Sequence, residues 1–182
     1  EAGTPRVPFP AQIQDAAGAV RWLRSNRGVL CLDDTRFIAA GFSSGGHLAA
    51  LLALGNGALG LGAQAAVNGM VPISAPTTLA TLLDDRPESC GPAWRADPYY
   101  CSEVPRRGGT TCLIGLLLSC SDVASCTVPS GPASPFTYVS AAAPPSLIVH
   151  GAHDCWIGVN QSTRLHGALL AAGAADVELH VI

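Results

Sequence analysis

Residues 41 to 47 read Gly-Phe-Ser-Ser-Gly-Gly-His and lie between an apolar strand-like run and an apolar helix-like run. A hydroxyl is a poor nucleophile unless a tight turn presents it beside a base and a pair of amide donors. The pattern predicts such a strand–turn–helix elbow with Ser43 at its tip. Gly41 and Gly45 flank the tip, and the spacing predicts that a side chain at either place would collide with the neighbouring strand or helix. Glycine also tolerates the strained backbone of the turn. Gly46 falls where the helix must pack close. The competing reading is a glycine-rich turn without catalysis.

A second run, Ser146 to Asp154, ends a buried strand and places an acidic residue within a few positions. In a doubly wound sheet that puts Asp154 at the carboxyl edge, on the same side as Ser43. A carboxylate there can hold an imidazole in the right tautomer and stabilise its charged form. The competing reading of Asp154 is a cap or turn residue. His150, His153, Asp154 and Cys155 cluster in sequence and invite a metal reading. His150 ends a strand and His153 lies in a tight loop, so one closed tetrahedral site is hard to build; neither metal nor cofactor is expected. His47, His166 and His180 read as packing or surface residues.

The elements that must position these groups are legible as periodicity. After Pro8 and Pro10, residues to 27 place Ile13, Ala16, Ala17, Val20 and Leu23 on one helical stripe. Arg21, Arg24 and Arg27 mark the exposed side, and Gly28 is a plausible stop. Residues 36–41 read as a short strand into the elbow, 44–55 as a buried helix, 66–73 as a strand stopped at Pro72, and Ser146 to His150 as a third strand. Val159 to Ala172 is amphipathic with Leu165, Leu169 and Leu170 inward, closed by Gly173. Val177 to Ile182 alternates like a strand. Strands alternating with helices predict an α/β fold: right-handed crossovers and a parallel sheet with covered faces.

Between residues 76 and 143 there is little periodicity and much Pro, Gly, Ser and Cys. This reads as an insertion over the sheet edge that carries the elbow. Trp94, Tyr99 and Tyr100 could line a pocket there or form a small local core.

The chain of 182 residues is long enough for one domain with a sizeable core. Its charged fraction is 13%, about half the usual share. No Asp, Glu, Lys or Arg occurs between Arg36 and Asp84. Gly and Asn interrupt that stretch, so a buried parallel sheet with its helices explains it better than a membrane span. Net charge is −3, all ten basic residues are Arg, and no basic stripe suggests nucleic acid. Seven cysteines, with Cys90, Cys101, Cys112, Cys120 and Cys126 in the loop-rich region, lean toward disulfides and a secreted or periplasmic setting. Cys120 and Cys126 are close enough to close a short loop.

Taken together, these runs resemble the alpha/beta-hydrolase fold. They are similar more narrowly to serine carboxylesterases of the hormone-sensitive-lipase type and to feruloyl-esterase-like hydrolases. The resemblance is carried by Pro8 to Ala11, Ala19 to Leu23, Gly41 to Ala49, Ser134 to Val139, and Pro144 to Gly151 with Asp154, then Gln161-Ser162 and Val177 to His180. It implies Ser43 as nucleophile, Asp154 as triad acid and the backbone N–H of Ser44 as one oxyanion donor. It also implies acyl transfer through an acyl-enzyme on a small-molecule ester.

The family's histidine follows the strand after the acid, and its His-Gly-Gly oxyanion loop precedes the first helix seen here. The expectation is therefore a partial alpha/beta-hydrolase fold, an internal fragment lacking N-terminal strands and the C-terminal end. Alone it should be nearly inactive and prone to aggregate through an open strand edge. A prolyl-oligopeptidase-type peptidase and a non-catalytic ligand-binding homologue share the same elbow and acid. Ester against peptide turnover, and the identity of the histidine, distinguish them.

Overall fold

A computed structural model of the protein describes residues 8–82, 84–85, 87–90, 117 and 130–182. Four parallel strands, β1 (Ile38–Phe42), β2 (Gly69–Ile73), β3 (Ser146–His150) and β4 (Val177–Val181), form one sheet in the order β1-β2-β3-β4. Helices α1 (Ala11–Ser25), α2 (Arg27–Leu30), α3 (Ser44–Gly55), α4 (Ser130–Ala133) and α5 (Asn160–Ala171) accompany it. The register pairs Gly41 with Pro72 and Phe42 with Ile73, then Ile73 with Val149, and Val149 with His180.

Helix α3 is the centre of the packing, which explains its near absence of polar residues. Its Leu51 and Leu52 join Ile13 and Ala17 of α1 with Leu61 and Ala65. Its Ala50 joins Met70, Ile148, Leu165, Leu169 and Ala174. Each fully buried Leu or Ile contributes about 1.5–3 kcal/mol relative to exposure. A charge at any of these buried positions would lack a partner, and the sequence between Arg36 and Asp84 carries none.

The helices lie against one face of the sheet. On the other, Ile38, Phe42 and Leu147 are exposed among the described residues. The strand order gives the reason. Consecutive strands step across the sheet in one direction, and right-handed crossovers made in one direction all fall on the same side. Among the described residues the expectation of two covered faces thus holds for one.

Several boundaries differ from the periodicity reading. Gly28 does not stop the first helix: α1 ends at Ser25, Gly28 lies within α2, and Cys31 takes the left-handed conformation (φ 54°) after it. Leu23 and Leu170 are exposed, because each lies about 100° around its helix from a buried neighbour stripe. Pro72 sits inside β2 rather than ending it. It donates nothing, but the ladder resumes beyond it, with Ser43 N–H to the Ile73 carbonyl and Ser74 N–H to the Val149 carbonyl, both 2.9 Å.

The arginines of α1 reach back to the body: Arg21 donates to the Leu61 carbonyl (2.9 Å), and Arg24 to those of Gln64 (2.6 Å) and Ala66 (3.0 Å). The two ends of the 76–143 connection bond to each other, Phe136 N–H to the Thr77 carbonyl (3.0 Å) and Leu79 N–H to Ser134 Oγ (3.0 Å). Trp94, Tyr99, Tyr100 and the Cys120/Cys126 pair lie outside the described residues. No helix among the described residues is long and apolar enough to cross a membrane.

Candidate active site

Strand β1 delivers the chain to Ser43, which adopts φ 55°, ψ −119°. A non-glycine residue with positive φ is uncommon, and such strain persists only where the surroundings enforce it. Here they do so from both sides. The Ser43 N–H is held by the Ile73 carbonyl (2.9 Å), and its carbonyl accepts from His47 N–H (3.0 Å), the first bond of α3.

The turn needs two glycines, but not the pair that symmetry about the serine suggests. A Cβ on Gly41 would stand 2.5 Å from the Gly45 oxygen and 2.8 Å from the Gly46 nitrogen. A Cβ on Gly46 would stand 2.8 Å from the Gly41 oxygen and 2.9 Å from Ala75 Cβ. A Cβ on Gly45 would meet nothing within 4 Å. The helix turns about 100° per residue, so Gly46 faces β1 and β2 while Gly45 faces away. The expected collision at Gly45 is therefore corrected to Gly46.

Ser44 is the first residue of α3. Its N–H has no intrahelical acceptor, and the helix N-terminus adds partial positive charge. His47, 4% exposed, lies one turn along. Its Nδ1 is 2.9 Å from the Pro76 carbonyl, which can only accept, so Nδ1 carries the proton. Burial lowers the His47 pKa, with the Pro76 bond opposing. Its Nε2 is buried without a partner among the described residues.

Asp154 follows β3 as Ser43 follows β1. The strands are parallel, so both residues stand at the carboxyl edge, separated by β2. One oxygen, Oδ1, accepts from the backbone N–H of Trp156 (2.8 Å) and of Ile157 (3.0 Å), closing an Asx-type turn. The other, Oδ2, is 3.7 Å from His150 Nε2. Asp154 is thus a turn residue through one oxygen and keeps the second for other chemistry.

His150 is completely buried and fully engaged. Nε2 donates to the Ile157 carbonyl (2.8 Å), and Nδ1 pairs with Ser162 Oγ (2.6 Å). It therefore serves neither as a base nor as a metal ligand; it clamps the turn that carries Asp154. His180 pairs with Glu178 (3.2 Å) on β4. Among the described residues, no three His, Cys, Asp or Glu side chains gather to hold a metal.

Disulfides were expected, but the partner of Cys155 and a buried polar network at this edge escaped the sequence reading. Cys90 and Cys155 form a disulfide across 65 residues, next to Asp154. Cys31 is a free, exposed thiol. Then Gln161, fully buried at the start of α5, takes the backbone N–H groups of Thr77 (2.8 Å) and Thr78 (2.7 Å) on Oε1. Through Nε2 it donates to Asp85 Oδ2 (2.5 Å). Arg164 closes the network with two bonds to the Asp85 carboxylate, 2.6 and 2.7 Å. Burial disfavours the ionised Asp85 most strongly of any single effect. The bonds from Arg164, Thr81 and Gln161 and the Arg164 charge outweigh it and hold the carboxyl below its ordinary range. A Gln-Ser pair at the start of an amphipathic helix was the one sequence signal, and nothing local connected it to Asp85.

The BD-FAE family profile matches residues 3–95 and 111–169. The chain is similar to esterase LipQ of Mycobacterium tuberculosis, with 31% identity over 179 residues, 96% of this chain and 38% of that protein. Among solved structures it is similar to a truncated carbohydrate esterase from gut microbiota, with TM-score 0.72, 23% identity and coverage of 97% of this chain and 61% of that one. A thermophilic esterase of Thermogutta terrifontis with butyrate bound gives TM-score 0.64, 22% identity and coverage of 97% and 55%. At these identities the structural likeness speaks for the fold, and the chain spans less than two thirds of the length of each of these relatives. The strand–turn–helix around Ser43, the parallel sheet behind it and a profile match over most of the sequence converge: this chain belongs to the BD-FAE family and has the alpha/beta-hydrolase fold.

Proposed function

We propose that the protein carrying this chain is a serine carboxylesterase acting on small-molecule esters. The observation that carries the reading is Ser43, held at positive φ on the tip of the elbow with the N-terminus of α3 directly behind it. In this reading Ser43 Oγ attacks the ester carbonyl while an imidazole takes its proton. The alkoxide of the tetrahedral intermediate accepts the Ser44 N–H, and the alcohol leaves as the imidazole returns the proton. Water then attacks the acyl-enzyme by the same path and releases the acid. Asp154 Oδ2 orients the imidazole, which this reading takes from a residue outside these 182; His47 and His150 are buried in the core. Esterase relatives, one of them holding butyrate, support short acyl groups as the first substrates to try.

The test uses the full-length protein with p-nitrophenyl acetate and butyrate, and a fluorophosphonate label located by peptide mass. The label is expected on Ser43, and Ser43→Ala is expected to lower kcat by at least about 10³-fold. Turnover undiminished in Ser43→Ala overturns the reading.

A further inference from the structure

We propose that the Cys90–Cys155 disulfide is a positioning device for Asp154. It ties the acid's turn to a segment that the Asp85–Arg164 clasp locks onto α5. The proposal rests on the reading of Ser43 and Asp154 as nucleophile and acid.

The argument starts from what holds the carboxylate. Both bonds to Oδ1 come from Trp156 and Ile157, within the same turn, so they shape the turn and travel with it. The Asp154 N–H bonds the Gly151 carbonyl (3.2 Å), again locally. Among the described residues, the contact that relates the carboxylate to the rest of the fold is Oδ2 to His150 Nε2, at 3.7 Å longer than a hydrogen bond. His150 does fix the end of the turn through the Ile157 carbonyl, and Ala152 N–H fixes its beginning on the Ile182 carbonyl (2.7 Å). Between those anchors lie His153, Asp154, Cys155 and Trp156, and Cys155 supplies a covalent tie from the middle of the turn.

A tether positions only if its far end is fixed, and here it is. Cys90 lies five residues beyond Asp85, whose buried carboxylate takes two bonds from Arg164 and one each from Gln161 and Thr81. Gln161 and Arg164 belong to α5, which begins five residues after Cys155. The chain therefore closes a ring: α5, Asp85, Cys90, Cys155, Asp154, the Ile157 anchor, and α5 again. In such a ring the turn that carries the carboxylate stays tied to α5 unless the disulfide or the clasp opens. A displacement of about 1 Å in a catalytic group can cost roughly 10²-fold in rate, so the tether acts on chemistry rather than on substrate binding.

The experiment is a double-mutant cycle in the full-length protein between Cys90→Ala/Cys155→Ala and Asp154→Asn. Activity is followed with p-nitrophenyl butyrate at a temperature where circular dichroism shows every variant folded. Removing the disulfide from the parent is expected to lower kcat about tenfold, leave KM within about twofold and shift the acid limb of the kcat profile. In the Asp154→Asn background the same removal is expected to change kcat by less than about twofold.

Should the double variant melt below the assay temperature, the folded native protein is reduced with a dithiol and alkylated, in parent and Asp154→Asn alike. The dithiol supplies two electrons and two protons, leaves a thiol on each cysteine and closes to its own disulfide. An equal loss of kcat in both backgrounds, an effect confined to KM, or no effect in the parent overturns the proposal and leaves the hydrolase reading intact. A Ser43→Ala protein as active as the parent overturns the hydrolase reading, and the proposal with it.

Discussion

Gly45 and Gly46 are adjacent, identical and both within the first turn of α3, yet the structure assigns them opposite responses to alanine. At Gly46 the added methyl would stand 2.8 Å from the Gly41 oxygen, 2.9 Å from Ala75 Cβ and 3.1 Å from the Ile73 nitrogen. Two of these are backbone atoms of β1 and β2, so α3 itself would have to withdraw from the sheet. Overpacking of that kind costs about 1–3 kcal/mol. At Gly45 the methyl meets nothing within 4 Å. Replacing glycine by alanine in a helix contributes up to about 1 kcal/mol at either position, so that gain cancels when the two variants are compared. The difference isolates the overpacking: Gly45→Ala should be more stable than Gly46→Ala by about 1–3 kcal/mol. Urea unfolding followed by far-UV circular dichroism, with unchanged slopes, measures it. A difference below about 0.5 kcal/mol, or one of opposite sign, would refute the close approach of α3 to β1 and β2 on which the geometry of Ser43 rests.

Arg164→Ala leaves the buried Asp85 carboxylate without its counter-charge. Unfolding should lose about 3 kcal/mol, the low end for a broken buried pair because the Arg164 side chain is 35% exposed. Asp85 ionises below its ordinary range in the folded protein. Its contribution is therefore present above about pH 4 and is lost as pH falls through the folded value. The variant should flatten that acid limb in pH-dependent urea titrations. His47 behaves in the opposite pH range: burial lowers its pKa, so the unfolded chain takes up the proton first. Stability should fall as pH drops below about 6.5, and a His47→Asn variant that keeps the full slope would assign the effect elsewhere. Removing the disulfide across its 65-residue separation should cost about 4 kcal/mol by loop entropy. A shift in urea midpoint worth less than about 1 kcal/mol would mean that the loop's ends are held together without it.

The amino-acid sequence determined the features that depend on near neighbours. The helix at 44–55 and the strand at Ser146 to His150 came out with the boundaries the structure has, because an uninterrupted apolar run between glycines or prolines leaves the backbone few alternatives. The placement of Ser43 and Asp154 at strand ends was legible for the same reason: a strand end, a tight turn and a helix start are local events, and two parallel strands bring their ends to one edge. The tertiary structure alone decided that Gly45 stands clear of the sheet, since that depends on where β1 and β2 stand beside α3 rather than on distance from the serine. It alone chose Cys90 as the partner of Cys155 and joined Gln161 and Arg164 to Asp85. It also turned His150 from a strand-end histidine into the clamp of the acid's turn. Each of these pairs is brought together by crossovers between strands or by the turn beyond β3, and no local pattern encodes which side chains meet when the chain returns.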